Sequence, residues 1–223
     1  MIPLKDDIPS SRFPAVNISL IALNGLVFFY EVGIGPEVSR FINHFGLIPS
    51  EVLTRGIAGW PNLLSSMFVH GGWEHIIGNM LYLFIFGDNV EDALGHLPYL
   101  LFYVLCGLAA SWTHIIFNLH SSIPTVGASG AVAGVLGAYL LLYPRAGVLT
   151  LIPLGFFIRV VKIPAMLVLG FWIVLQLLFG LINLPLAGEQ SGGVAWFAHV
   201  GGFFAGLALI RLMTRKRKRT FFA

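Results

Sequence analysis

The sequence is poor in charge. Asp, Glu, Lys and Arg make up 10% of its 223 residues, where a soluble globular domain carries about 25%. With 57% hydrophobic residues and a mean hydropathy of +0.86, a soluble fold is excluded. Cysteine is almost missing. The lone Cys106 lies in an apolar run, so neither an intramolecular disulfide nor a cysteine metal site can form. It reads as a small buried hydrophobe. No H-E-x-x-H occurs, and Glu74 precedes His75 instead of following it, so the zinc-protease pattern fails. An aspartyl mechanism needs two carboxylates inside the membrane. Asp88, Glu91 and Asp92 instead cluster near one end of an apolar segment and read as solvated or capping groups. Neither a metal ion nor a cofactor is expected. Basic residues concentrate in one run, Arg215-Lys216-Arg217-Lys218-Arg219. It follows an apolar segment directly and suits a cytoplasmic anchor. The rest of the chain offers no basic face for nucleic acid.

What is present is apolar length. A membrane-crossing helix needs about 20 residues. Six segments qualify, at residues 15–32, 74–94, 97–117, 128–144, 163–183 and 193–213. The expected fold is an all-α polytopic membrane bundle of six helices, because unclosed sheets cannot span lipid. The second segment is the least apolar, since it holds His75 and Asn79. The fourth is rich in Gly and Ala, which suits a helix packed inside a bundle. The first apolar run begins near Val16, and its flanks suit a retained helix rather than a cleaved leader. The stretch 148–161 is also apolar, but Pro153, Gly155 and Arg159 interrupt it. It reads as a loop or interfacial segment, with a seventh span as the lesser reading.

Six spans put both termini on one side. With that side cytoplasmic, eleven of the thirteen Lys and Arg residues lie inside, leaving Arg40 and Arg55 outside. The positive-inside rule then fixes the orientation. The expected organisation is a cytoplasmic segment 1–14, a membrane domain 15–213 and a basic cytoplasmic tail 214–223. Spans two, four and six all run from outside to inside. His75 and Asn79 come early in span two, Ser129 opens span four, and His199 lies about 9 Å into span six at 1.5 Å per residue. Topology thus brings four polar groups to one outer layer. Polar side chains are expensive in a membrane and mark functional sites.

A serine hydroxyl needs a base to become a nucleophile. His199 suits that role, since imidazole titrates near neutrality. His114 and His120, near the outer end of span three, are rival bases. Facing helices sit 8–10 Å apart unless small residues intervene. Span four carries Gly130 and Gly134, and span six carries Gly202 and Gly206, both in G-x-x-x-G spacing that lets backbones approach. His75 and Asn79 are four residues apart and share a helix face. With the Ser129 backbone N–H they are candidate donors to a developing oxyanion. Each residue has a bland reading. A lone membrane serine usually bonds its own backbone, and a lone asparagine usually joins helices. Their convergence at one depth is what favours a site.

These residues carry a resemblance. The quoted pieces are His70-Gly71-Gly72-Trp73-Glu74-His75, Gly78-Asn79-Met80, Phe86-Gly87-Asp88-Asn89-Val90-Glu91-Asp92, Gly127-Ala128-Ser129-Gly130 with Gly134, and Ala198-His199-Val200-Gly201-Gly202 with Gly206. In this order they resemble the rhomboid family of intramembrane serine proteases, bacterial members especially. The resemblance implies a Ser129–His199 pair with no acidic third member, and an oxyanion hole from His75, Asn79 and the Ser129 backbone. It implies cleavage of transmembrane protein substrates near their outer ends, in a plasma (inner) membrane. It implies entry beside span five, with the loop from about 184 to 192 as a cap. It gives Glu91 and His70 structural roles. Two positions depart from the family. Trp60-Pro61-Asn62 stands where a Trp-Arg pair is frequent, and Ala133 stands where some members stack an aromatic ring on the histidine. A relative that binds membrane helices without cleaving them typically lacks the serine or the histidine, and this chain keeps both. A transporter would call for inverted repeats or paired intramembrane charges, which the sequence does not display. Oligomeric state is not encoded in any motif here.

Overall fold

From Ala15 the chain runs without a charged residue to Glu31, and this stretch forms helix α1 (Ala15–Gly33). The structure, a computed structural model, describes residues 1–154, 157–183 and 195–220. After α1 come three short helices, α2 (Val38–Phe45), α3 (Pro49–Arg55) and α4 (Pro61–Ser65). Proline opens both α3 and α4, where its missing N–H costs no hydrogen bond. The long helices α5 (Trp73–Leu94), α6 (His96–Phe117), α7 (Ser129–Leu142), α8 (Ala165–Asn183) and α9 (Trp196–Thr220) follow. The protein is a helical membrane bundle, and among the described residues these five helices and α1 overlap the six expected spans.

Not all six could cross a membrane alone. Among the described residues, α1, α6, α8 and residues 196–214 of α9 are both long and apolar enough. Helix α5 carries Glu74, Asp88, Glu91 and Asp92. Helix α7 has 14 residues, about 21 Å at 1.5 Å per residue, against a hydrocarbon core of about 30 Å. It survives because it is the central helix: every residue from Gly130 to Tyr139 is buried. Helices α6 and α9 enclose it. In lipid, close van der Waals packing rather than water exclusion holds such helices together. Tyr99, Phe102, Tyr103, Phe86 and Tyr139 fill the half of the core remote from Ser129, all fully buried.

Helix α1 has no side-chain cap of its own. A carboxylate from elsewhere supplies one. Glu91, near the end of α5, accepts the backbone N–H of Val16 (3.0 Å) and of Asn17 (2.7 Å). Its negative charge also faces the positive end of the α1 dipole. His96 Nδ1 approaches the same carboxylate at 2.5 Å. Tyr99 then donates to Asn17 Oδ1 (2.8 Å), and Asn17 Nδ2 donates to the Leu83 carbonyl (3.0 Å). Three helices are thereby tied at the end where the N-terminus docks. The structural role expected of Glu91 has this geometry.

The stretch 148–161 is neither loop nor seventh helix in its described residues. Strands β2 (Gly147–Leu154) and β3 (Phe157–Pro164) pair antiparallel, and β1 (Ile2–Lys5) pairs antiparallel with β2. Pro153 bars a helix, and β-branched Ile158, Val160, Val161 and Ile163 favour a strand. Backbone bonds from Ala165 to Ala146 (2.8 Å) and Met166 to Pro144 (3.0 Å) close the hairpin at its base. Val148 and Thr150 are buried, while Phe157 and Ile158 are exposed. Asp7 joins sheet and N-terminus, meeting Lys162 at 2.5 Å and accepting the Gly147 N–H at 2.8 Å. Those two partners hold its carboxyl below the usual carboxylate range.

Candidate active site

Helices α7 and α9 touch backbone to backbone. A Cβ built on Gly202 would run into the Gly130 carbonyl, and one on Gly206 into the Gly134 carbonyl. Gly130 and Gly134 also face Ala110 and Cys106 of α6, so small residues bring three helices to one line. This close approach places Ser129, the first residue of α7, beside His199 on the first turn of α9. Ser129 Oγ lies 2.8 Å from His199 Nε2. His199 is 8% exposed.

The other ring nitrogen has a partner from α8. Gln176 Oε1 sits 2.7 Å from His199 Nδ1. The Trp172 ring, one turn earlier, lies 5.7 Å from the imidazole at a tilt of 37°. Sequence reading missed both residues. Gln176 is the one amide within the interior of α8, the most apolar of the long helices, whose other amide, Asn183, ends it, so the rule that flagged Asn79 would also have flagged Gln176. Trp172 answers the Ala133 departure: the aromatic neighbour of the histidine comes from another helix.

His75 and Asn79 occupy the first two turns of α5 and face the same space. A cavity of about 580 Å³ is lined by His75, Asn79, Ser129, Trp172, Asn183 and His199, among others. Asn79 Nδ2 is buried without a partner among the described residues. A buried unpaired donor is costly unless something is bound there. The Gly71 N–H points at His75 Nδ1 (3.4 Å), which leaves the ring proton on Nε2. That nitrogen lies against Gly127, whose φ is +116°. A Cβ at Gly127 would collide with the His75 ring, so glycine is required twice over. The Ser129 N–H stands among the first-turn groups that lack an intrahelical acceptor.

The loop before α5 is held from α1. Glu31, buried, accepts the His70 N–H through both oxygens (3.1 and 3.3 Å). The His70 and His75 rings lie 5.1 Å apart. Burial, with His75 nearby, pushes the His70 pKa down to about 4, so this ring is neutral at neutral pH. At the Trp-Pro-Asn departure, Asn62 Nδ2 donates to the carbonyls of His44 (2.9 Å) and Gly46 (2.7 Å). An amide anchors the segment where an arginine is absent. Of the rival bases, His114 lines the cavity but its Nε2 is engaged by Thr125 Oγ1 at 2.8 Å. His120 is exposed. The expected cap at 184–192 lies outside the described residues. Among those described, no three His, Cys, Asp or Glu side chains are placed to hold a metal ion.

A family model, the Rhomboid domain, matches residues 58–216. The chain belongs to the rhomboid family. This rhomboid is similar to the rhomboid protease GluP of Bacillus subtilis, with 32% identity over 197 residues, which is 88% of this chain and 35% of the relative. It is similar to RHOMBOID-like protein 4 of Arabidopsis thaliana, with 34% identity covering 79% of this chain and 39% of the relative. RHOMBOID-like protein 2 of the same plant is 37% identical over 78% of this chain and 48% of its own length. The rhomboid described here thus spans between about a third and a half of these three relatives. The matched region contains every residue of the site.

Proposed function

We propose that this rhomboid is an intramembrane serine endopeptidase acting through a Ser129–His199 dyad. The observation that carries the reading is the 2.8 Å contact of Ser129 Oγ with His199 Nε2, within a cavity that also holds an unpartnered amide donor. In the reaction, His199 Nε2 takes the hydroxyl proton as Oγ bonds to the carbonyl carbon of the substrate peptide. The oxyanion is met by Asn79 Nδ2, His75 Nε2–H and the Ser129 N–H. Collapse breaks the C–N bond, and the imidazolium returns its proton to the departing amine. Water then attacks the acyl ester, giving a proton to His199, which passes it to Ser129 Oγ as the acid leaves and the hydroxyl is restored. Preorganised donors of this kind contribute roughly 10²–10³-fold each to such reactions.

The substrates are transmembrane segments of other proteins. Residues 15–213 form the membrane domain, with segments 1–14 and 214–223 cytoplasmic and the cavity opening outward, in a plasma (inner) membrane. The charge bias supports this orientation. The dyad is tested by mass spectrometry after treatment with a serine-directed fluorophosphonate. Wild type gains an adduct on Ser129. Ser129→Ala gains none, and His199→Ala loses at least 10²-fold in labelling rate, the lower range for a general base. A Ser129→Ala protein that still cleaves a membrane substrate overturns the mechanism.

A further inference from the structure

The proposed dyad needs one tautomer. His199 must carry its proton on Nδ1, so that Nε2 offers a lone pair to the Ser129 hydroxyl. Neutral imidazole in water populates both tautomers, and the other one cannot act as the base. Something must choose. In serine proteases with a third member, a carboxylate makes that choice. Among the described residues, no carboxylate contacts His199. The titratable groups among them that act on it are the imidazoles of His75 from α5 and His114 from α6, neither of which bonds to its ring. What does contact Nδ1 is Gln176 Oε1, at 2.7 Å from a side chain 7% exposed. An amide oxygen only accepts. It therefore fixes the proton on Nδ1.

We infer that Gln176 is the positioning residue of this site, a neutral third member that sets the His199 tautomer and, with Trp172, its orientation. The inference rests on the dyad reading and deepens it. Two features of α8 support it. Gln176 and Trp172 are four residues apart, on one face of the helix, and both face His199. A buried amide in the middle of an apolar helix is expensive unless its bond is needed. Helix α8 is then part of the catalytic apparatus and not only a wall of the cavity. The histidine is held from α8, while the serine it serves stands on α7.

The test uses the full-length protein labelled with ¹⁵N-histidine, and His199→Ala identifies the resonance. In wild type, Nε2 of His199 gives the signal of an unprotonated nitrogen and Nδ1 that of a protonated one. Gln176→Met, which keeps the volume and removes the acceptor, mixes the two tautomers. It also slows fluorophosphonate labelling of Ser129 by about tenfold, the equivalent of one hydrogen bond. Gln176→Glu restores an acceptor and brings labelling back to within a few-fold of wild type, which a packing role alone would not produce. It carries the test if Gln176→Met fails to fold. A wild-type signal with the proton on Nε2 overturns the inference, as does an unchanged labelling rate in Gln176→Met or no recovery in Gln176→Glu. If wild-type Ser129 takes no label, the dyad reading itself fails, and the tautomer signals still report on Gln176 separately.

Discussion

At the scale of single residues, the site depends on what is absent from Gly130, Gly134, Gly202 and Gly206. Each lacks a side chain where another backbone or side chain already stands. Gly206→Ala puts a methyl group against the Gly134 backbone, which cannot rotate away. We expect it to cost about 1–3 kcal/mol, as overpacking does, seen as a lower thermal midpoint. It should also spread α7 from α9 and reduce labelling of Ser129. Gly170→Ala is the contrast. Nothing lies within 4 Å of its added Cβ, so the midpoint should hold or rise by the equivalent of about 0.5–1 kcal/mol. Equal losses from both variants would contradict this account of the glycines. The serine, the histidines and Asn79 were legible in the sequence because each is polar within an apolar run. Gln176 was equally visible by that criterion, but its partner was not. Only the packing of α8 on α9 puts it on Nδ1.

At the scale of elements, α1 is stabilised from a distance. Its first turn is capped by Glu91, 75 residues further along the chain from Val16. Glu91→Ala removes the acceptor of two backbone N–H groups and of His96. We expect a loss of about 1–2 kcal/mol in chemical denaturation, the range for a lost helix cap. Amide exchange should rise first at residues 15–18, and a uniform rise across the bundle would argue against local capping. The sheet was the element that sequence reading did not give. Its composition was legible, with β-branched residues around a proline, but pairing was not. Strand β1 lies more than 140 residues before its partner, and no local pattern joins Ile2 to Leu151.

At the scale of the whole molecule, the docking end and the cavity lie at opposite ends of α5. Glu91 and Asn89 meet residues 8–17 near its C-terminus, while His75 and Asn79 face the cavity near its start. The proposed orientation puts the cavity outside. It predicts the outcome of cysteine labelling in intact cells. Arg55→Cys should react with a membrane-impermeant maleimide, and Lys5→Cys only after lysis. Native Cys106 is buried and contributes no background. The reverse pattern would invert the topology and place the site at the cytoplasmic face.

The sequence by itself determined that the protein lies in a membrane, where its long helices run, and which polar residues those helices carry near their starts. Those follow from hydropathy and from the rise per residue of a helix, and both are local. The tertiary structure decided which groups touch. The crossing of α7 and α9 separates His199 from the rival His114, and the register of α8 supplies an acceptor for its second nitrogen. It also let a 14-residue helix stand at the centre, because neighbouring helices, not its own length, cover its backbone. Contact at 2.7–2.8 Å is settled by how small residues let helices approach, and that closeness is a property of pairs of helices, written in neither one alone.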